Sequence, residues 1–146
     1  MQIQRMDHFT IVTDRLDETL AFYALLGLHA GARPDFGVPG AWLYATDKPI
    51  LHVIEVTNMP EPRRGALDHM AYHAQGLLAT TQLLEERGIP HWIIRTPAPF
   101  RMWQLFIVDP NGVDVELDFD PQEIAPENWR TRTLSAAISR PDTARC

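Results

Sequence analysis

Apolar and polar residues alternate between Gln4 and Thr13, with Phe9 and Ile11 on one side of an extended chain and His8, Thr10 and Val12 on the other. That period of two predicts a strand. The period then changes. Leu16, Leu20, Tyr23 and Ala24 recur at helical spacing, and Gly27 stands where a helix would end. Further strands are expected near Leu28 to Arg33, Ala41 to Thr46 and Ile50 to Thr57. The same order then returns: strands near Leu67 to Ala74, Pro90 to Thr96, Met102 to Val108 and Val113 to Phe119, with a helix over Leu77 to Arg87. Asp109-Pro110-Asn111-Gly112 marks a turn between the last two strands.

Each half therefore reads as β-α-β-β-β, and the halves also match residue for residue. A shift of 61 places Asp7-His8 on Asp68-His69, Leu16 on Leu77, Thr19 on Thr80 and Gly27-Leu28 on Gly88-Ile89. A shift of 62 brings Leu43-Tyr44 onto Leu105-Phe106 and Asp47 onto Asp109. Two more residues in the second half then bring Leu51-His52-Val53 onto Val115-Glu116-Leu117. The expected organisation is a first module over 1–58, a linker over 59–66 rich in proline and glycine, a second module over 67–119, and an irregular tail over 120–146 that docks through Trp129. The modules are expected to make one structural domain of class α+β.

The repeat pairs His8 with His69 and His52 with Glu116. His52 stands between Leu51 and Val53, and Glu116 between Val115 and Leu117, so each is a polar group in an apolar strand. An ionised carboxylate in such a strand is costly to bury unless a cation or strong donor compensates it. Two imidazoles and one carboxylate around a divalent ion would do so, and that set leaves coordination positions open. The expected ligands are His8, His69 and Glu116. His73 lies on the face of Ala71, either lining the same cavity or as a satisfied core histidine. His29 and His91 are read as structural or exposed, Arg63-Arg64 as solvated surface, and Trp42, Tyr44, Trp103 and Phe106 as core or cavity wall.

Composition narrows the partners. At 146 residues, 45% hydrophobic and 22% charged, the chain can bury a core. A net charge of -6 argues against nucleic acid. The only cysteine, Cys146, allows no intrachain disulfide. The N-terminus lacks the run expected of a signal peptide, and no apolar run reaches membrane-spanning length. The expectation is a cytoplasmic protein with a small-molecule substrate, without nucleic-acid or membrane partners.

Asp7-His8-Phe9-Thr10-Ile11-Val12, followed by Leu20-Ala21-Phe22-Tyr23 and Leu26-Gly27-Leu28, resembles the opening of the vicinal oxygen chelate superfamily. Leu67-Asp68-His69-Met70-Ala71-Tyr72 resembles the start of its second module, and Asp109 to Leu117 its close. The likeness spans about residues 6 to 119. This superfamily includes glyoxalase I, extradiol dioxygenases, fosfomycin-resistance enzymes, methylmalonyl-CoA epimerase and the metal-free bleomycin-binding proteins. The resemblance implies a cup-shaped mixed sheet built from two βαβββ modules, and a homodimer. It also implies metal ligands at His8, His69 and Glu116, with His52 as acid-base catalyst or fourth ligand.

Departures from the pattern select among the members. Glyoxalase I carries Glu in place of His52. Its glutathione-using forms have Arg and Asn where this chain has Val12 and Val56, and apolar residues cannot grip the carboxylates of glutathione. In extradiol dioxygenases a His on the strand equivalent to that of His52 acts beside a His-His-Glu iron site. The resemblance thus points first to a ring-cleaving dioxygenase using Fe2+ or Mn2+ on a small catechol-like substrate. The alternative is a glyoxalase-type isomerase or lyase, using Ni2+ or Zn2+, in which the metal stabilises an enediolate and Glu116 or His52 moves the proton. A third possibility is a non-catalytic binder of an aromatic metabolite or antibiotic.

Overall fold

A computed structural model describes residues 2–61, 66–127 and 129. Arg63-Arg64, Cys146 and the tail beyond Trp129 lie outside the described residues. The elements are β1 (Phe9–Thr13), α1 (Leu16–Leu25), β2 (His29–Ala30), β3 (Gly40–Ala45), β4 (Lys48–Glu55), β5 (His69–His73), α2 (Leu77–Glu86), β6 (His91–Arg95), β7 (Trp103–Val108) and β8 (Asp114–Phe119). The expected β-α-β-β-β order is therefore present twice. The described strands form two four-stranded mixed sheets, ordered β1-β4-β3-β2 and β5-β8-β7-β6. The class is α+β.

The chain divides into two compact units, one of residues 1–65 with Asp109–Asn111 and one of residues 66–108 with 112–146. In the first, Leu43, Leu51 and Val53 are buried on one face of the sheet, while Trp42 and His52 stand half-buried on the other. Each buried Leu or Val contributes about 1.5–3 kcal/mol. The first helix ends at the expected glycine, Gly27, and the second ends in the same way at Gly88. Gly27 (φ +85°) donates to Ala24 and Leu28 to Tyr23, and Gly88 (φ +64°) donates to Glu85 and Ile89 to Leu84. This reciprocal pair needs a left-handed residue, which glycine supplies without Cβ strain. α2 starts at Leu77 as expected, but what caps it was not foreseen. Its Gly76 and Leu77 N–H groups donate to the carboxylate of Glu123, far along the chain.

Three expectations need correction. The first strand starts at Phe9 rather than Gln4, because its pairing with β4 begins at Phe9 opposite Leu51. β2 is only two residues long, because its ladder with β3 ends at Ala30 opposite Leu43 and only the Gly31 N–H bonds beyond it, to the Trp42 carbonyl. The repeat alignment of the third strands is also two residues out. Trp42 lies opposite His52 and Phe106 opposite Glu116, so Trp42 and Phe106 are the equivalent positions. A slip of two keeps every side chain on its own face, so the alternation could not reveal it.

The turn Asp109–Asn111 packs within the first unit. Tyr23 donates its hydroxyl to Asp109 Oδ2 at 3.0 Å, and Asn111 Nδ2 donates to Thr19 Oγ1 at 3.1 Å. Thr19 Oγ1 lies 3.0 Å from Thr13 Oγ1, tying α1 to the end of β1. All five side chains are buried.

Candidate metal centre

His8 immediately precedes β1, and His52 lies mid-way along β4, opposite Thr10 on one side and Trp42 on the other. The His8 and His52 rings stack 3.7 Å apart with an 18° interplanar angle, and Trp42 also stacks on His52, at 4.3 Å and 9°. His52 Nε2 is buried and has no hydrogen-bond partner. Burial, followed by the neighbouring His8, pulls the His52 pKa below its ordinary value. The ring is therefore held neutral, with a nitrogen whose bonding capacity is unused.

The second unit repeats the placement with different chemistry. His69 opens β5, and Glu116 lies mid-β8 opposite Ala71 and Phe106. The pairing of Ala71 with Glu116 is the repeat counterpart of Thr10 with His52. His69 Nε2 lies 3.1 Å from Glu116 Oε2. Gln104 Nε2 donates both to Glu116 and, at 3.0 Å, to Asp118. Glu116 is only 5% exposed. Burial, reinforced by the Asp118 carboxylate and opposed by His69 and Gln104, raises its pKa from 4.5 to about 7.

Both repeat histidines carry a carboxylate on the same nitrogen. His8 Nδ1 lies 2.9 Å from Asp7 Oδ1, and His69 Nδ1 lies 2.8 Å from Asp68 Oδ2. A carboxylate only accepts, so Nδ1–H donates and the lone pair is left on Nε2. This hydrogen bond also holds Asp7 below the usual carboxylate range. Such pairs fix the tautomer of metal-binding histidines. Asp7 and Asp68 were visible in the repeat as aligned residues, but the sequence reading gave them no role. Gln104 and Asp118 were missed because strand register, not the motif, brings them to Glu116.

The structure thus brings His8 together with His52, and His69 together with Glu116. Among the described residues, no group of three or more His, Cys, Asp or Glu side chains is gathered to hold a metal ion. The donor chemistry nevertheless fits a divalent ion: two oriented imidazoles, one buried carboxylate and the unused His52 Nε2. His73 is exposed at the end of β5, opposite Asp118, so it is not a core histidine. His29 is exposed, and His91 Nδ1 bonds the Ile89 carbonyl at 3.0 Å. Trp92 and Phe106 stack at 5.4 Å and 4° on the face that carries Glu116.

Residues 5–117 match the family model for the glyoxalase/bleomycin resistance protein/dioxygenase superfamily. The chain belongs to that superfamily. Similar solved structures include a glyoxalase family protein from Bacillus anthracis (22% identity, TM-score 0.65, covering 82% of this chain and 98% of that one). A glyoxalase/dioxygenase from Nostoc punctiforme is 20% identical with a TM-score of 0.63, over 82% of this chain and 92% of that one. A lactoylglutathione lyase from Agrobacterium tumefaciens is 21% identical with a TM-score of 0.60, over 82% and 96%. At these identities the likeness concerns the fold. None of the curated proteins is significantly similar to the chain. Among the described residues, no helix is long and apolar enough to cross a membrane.

Proposed function

We propose that His8, His69 and Glu116 of this superfamily member hold one divalent metal ion, drawn from one chain or from two copies in a dimer. The reaction we assign is ring cleavage of a small catechol-like substrate, of the extradiol dioxygenase type, in the cytoplasm. The observation that carries this reading is His52. A neutral imidazole with a buried, unpartnered Nε2, stacked beside a candidate ligand, is suited to take a proton from a substrate hydroxyl and return it later. The flat faces of His8 and Trp42 set the plane of that ring, and burial keeps it unprotonated at working pH. Asp7 and Asp68 hold the ligand histidines in one tautomer, and Gln104 restrains Glu116 against Asp118.

A bound Fe2+ or Mn2+ would supply Lewis acidity to adjacent substrate oxygens and a path for electrons from the catechol, which is the species oxidised, to dioxygen. The alternative is a glyoxalase-type isomerase using Ni2+ or Zn2+, and one observation favours it. Glu116, with a pKa raised to about 7, is itself suited to carry a proton.

Anaerobic loading of metal-free protein with each of the four ions separates the readings. Oxygen consumption with catechols by the iron or manganese protein is the expected result. Turnover of a 2-oxoaldehyde–thiol adduct by the nickel or zinc protein, with no oxygen uptake by the iron protein, would replace the dioxygenase with the isomerase.

A further inference from the structure

The connection from β2 to β3 presents a cation that no catalytic step above uses. Gly31 sits under the Tyr44 ring, where an added Cβ would come within 2.6 Å of ring carbons, and the Tyr44 hydroxyl donates to the Ala32 carbonyl at 2.7 Å. At the far end, a Cβ on Gly40 (φ +149°) would lie 2.2 Å from the Val53 carbonyl oxygen, and Glu55 N donates to Pro39. Inside the loop, Arg33 donates from Nη2 to the Val38 carbonyl at 3.0 Å, and Gly37 N donates to Asp35 Oδ1 at 2.8 Å. Both ends and the middle are therefore fixed.

What the loop displays is unusual for an acidic chain. The Arg33 guanidinium carbon lies 5.0 Å from the Phe36 ring centroid, and the Phe36 ring lies 5.9 Å from Trp42, which stacks on His52. Phe36 remains 56% exposed despite its size. Among the described residues Arg33 has no carboxylate partner, and its hydrogen bond to Val38 uses one of five N–H donors. The result is a row of Arg33, Phe36, Trp42 and His52, with the two aromatic rings tilted by 43° to one another and a cation with donors to spare at one end.

We propose that Arg33 determines substrate specificity by binding a carboxylate on a planar ring, with Phe36 and Trp42 as the apolar wall between it and His52. A planar guanidinium matches a carboxylate with two parallel hydrogen bonds, and its contact with Phe36 limits the freedom lost on binding. The fixed loop reduces the ordering cost further. This substrate class deepens the catechol reading of the same site and rests on it for the adjacent hydroxyls.

The test is calorimetric titration, under argon, of purified wild type, Arg33→Gln and Arg33→Lys with two matched pairs of probes. One pair is 3,4-dihydroxybenzoate and catechol; the other, lacking adjacent hydroxyls, is 2-naphthoate and 2-naphthol. Wild type is expected to favour the carboxylate of a pair by about tenfold, as one charge-assisted contact allows. Arg33→Gln should abolish that preference while leaving the neutral probe unchanged, and Arg33→Lys should restore part of it. A preference confined to the naphthyl pair upholds Arg33 and counts against the catechol reading. No preference in either pair, no binding of any probe, or a preference that survives in Arg33→Gln would overturn the role of Arg33.

Discussion

At the scale of single residues, the two Asp-His pairs and Glu116 carry the sharpest expectations. Asp68→Asn and Asp7→Asn keep side-chain size but weaken the grip on Nδ1. Each should lower metal affinity by about 10- to 100-fold with little change in folding, checked by competition against a chelator. Glu116 predicts a pH dependence. Its folded pKa of about 7 lies above the ordinary 4.5, so the folded state holds the proton more tightly than the unfolded chain. The metal-free protein should therefore lose stability as pH rises from about 4.5 to 7, by no more than about 3 kcal/mol. Denaturant unfolding of wild type and Glu116→Gln across pH 5 to 8 checks this; the variant should lack that component of the slope. His52→Ala should slow turnover by about a hundred- to ten-thousand-fold with metal content retained if His52 moves protons. Loss of metal in that variant would make it a fourth ligand instead.

At the scale of elements, periodicity made both helices and the core face of the first strand legible, because burial rewards alternation wherever one face is covered. Strand ends were less legible, since they depend on a partner's length, as β1 and β2 illustrate. Contacts distant in sequence were not legible at all. Glu123 at the start of α2 is such a case, because nothing local to either segment announces it. Glu123→Ala leaves two N–H groups of α2 without their carboxylate and should cost about 1 kcal/mol by denaturant unfolding. Asn111→Ala removes the donor to Thr19 from a buried network, and a loss of about 1–3 kcal/mol is expected.

At the scale of the whole molecule, the repeat was the most informative signal, because it supplied the paired histidines, the His52/Glu116 equivalence and the module order together. The fold family followed from the same motifs. The sequence paired residues across the repeat, whereas the contacts within each unit, His8 on His52 and His69 on Glu116, came from strand register alone. The division into units includes Asp109–Asn111 with the first, so a fragment ending at Glu61 would lack the bonds to Tyr23 and Thr19. Such a fragment should aggregate or dimerise in sedimentation, and a cooperatively unfolding monomer would contradict that expectation.

The central claim, one divalent ion held by His8, His69 and Glu116, is tested most directly by metal content. Protein purified anaerobically, together with His8→Ala and Glu116→Ala, would be reloaded with each of Fe2+, Mn2+, Ni2+ and Zn2+, desalted and analysed by elemental mass spectrometry, with circular dichroism confirming the fold. Wild type should retain one ion per three-residue set, and both variants should retain almost none. A folded Glu116→Ala protein with full occupancy would contradict the account.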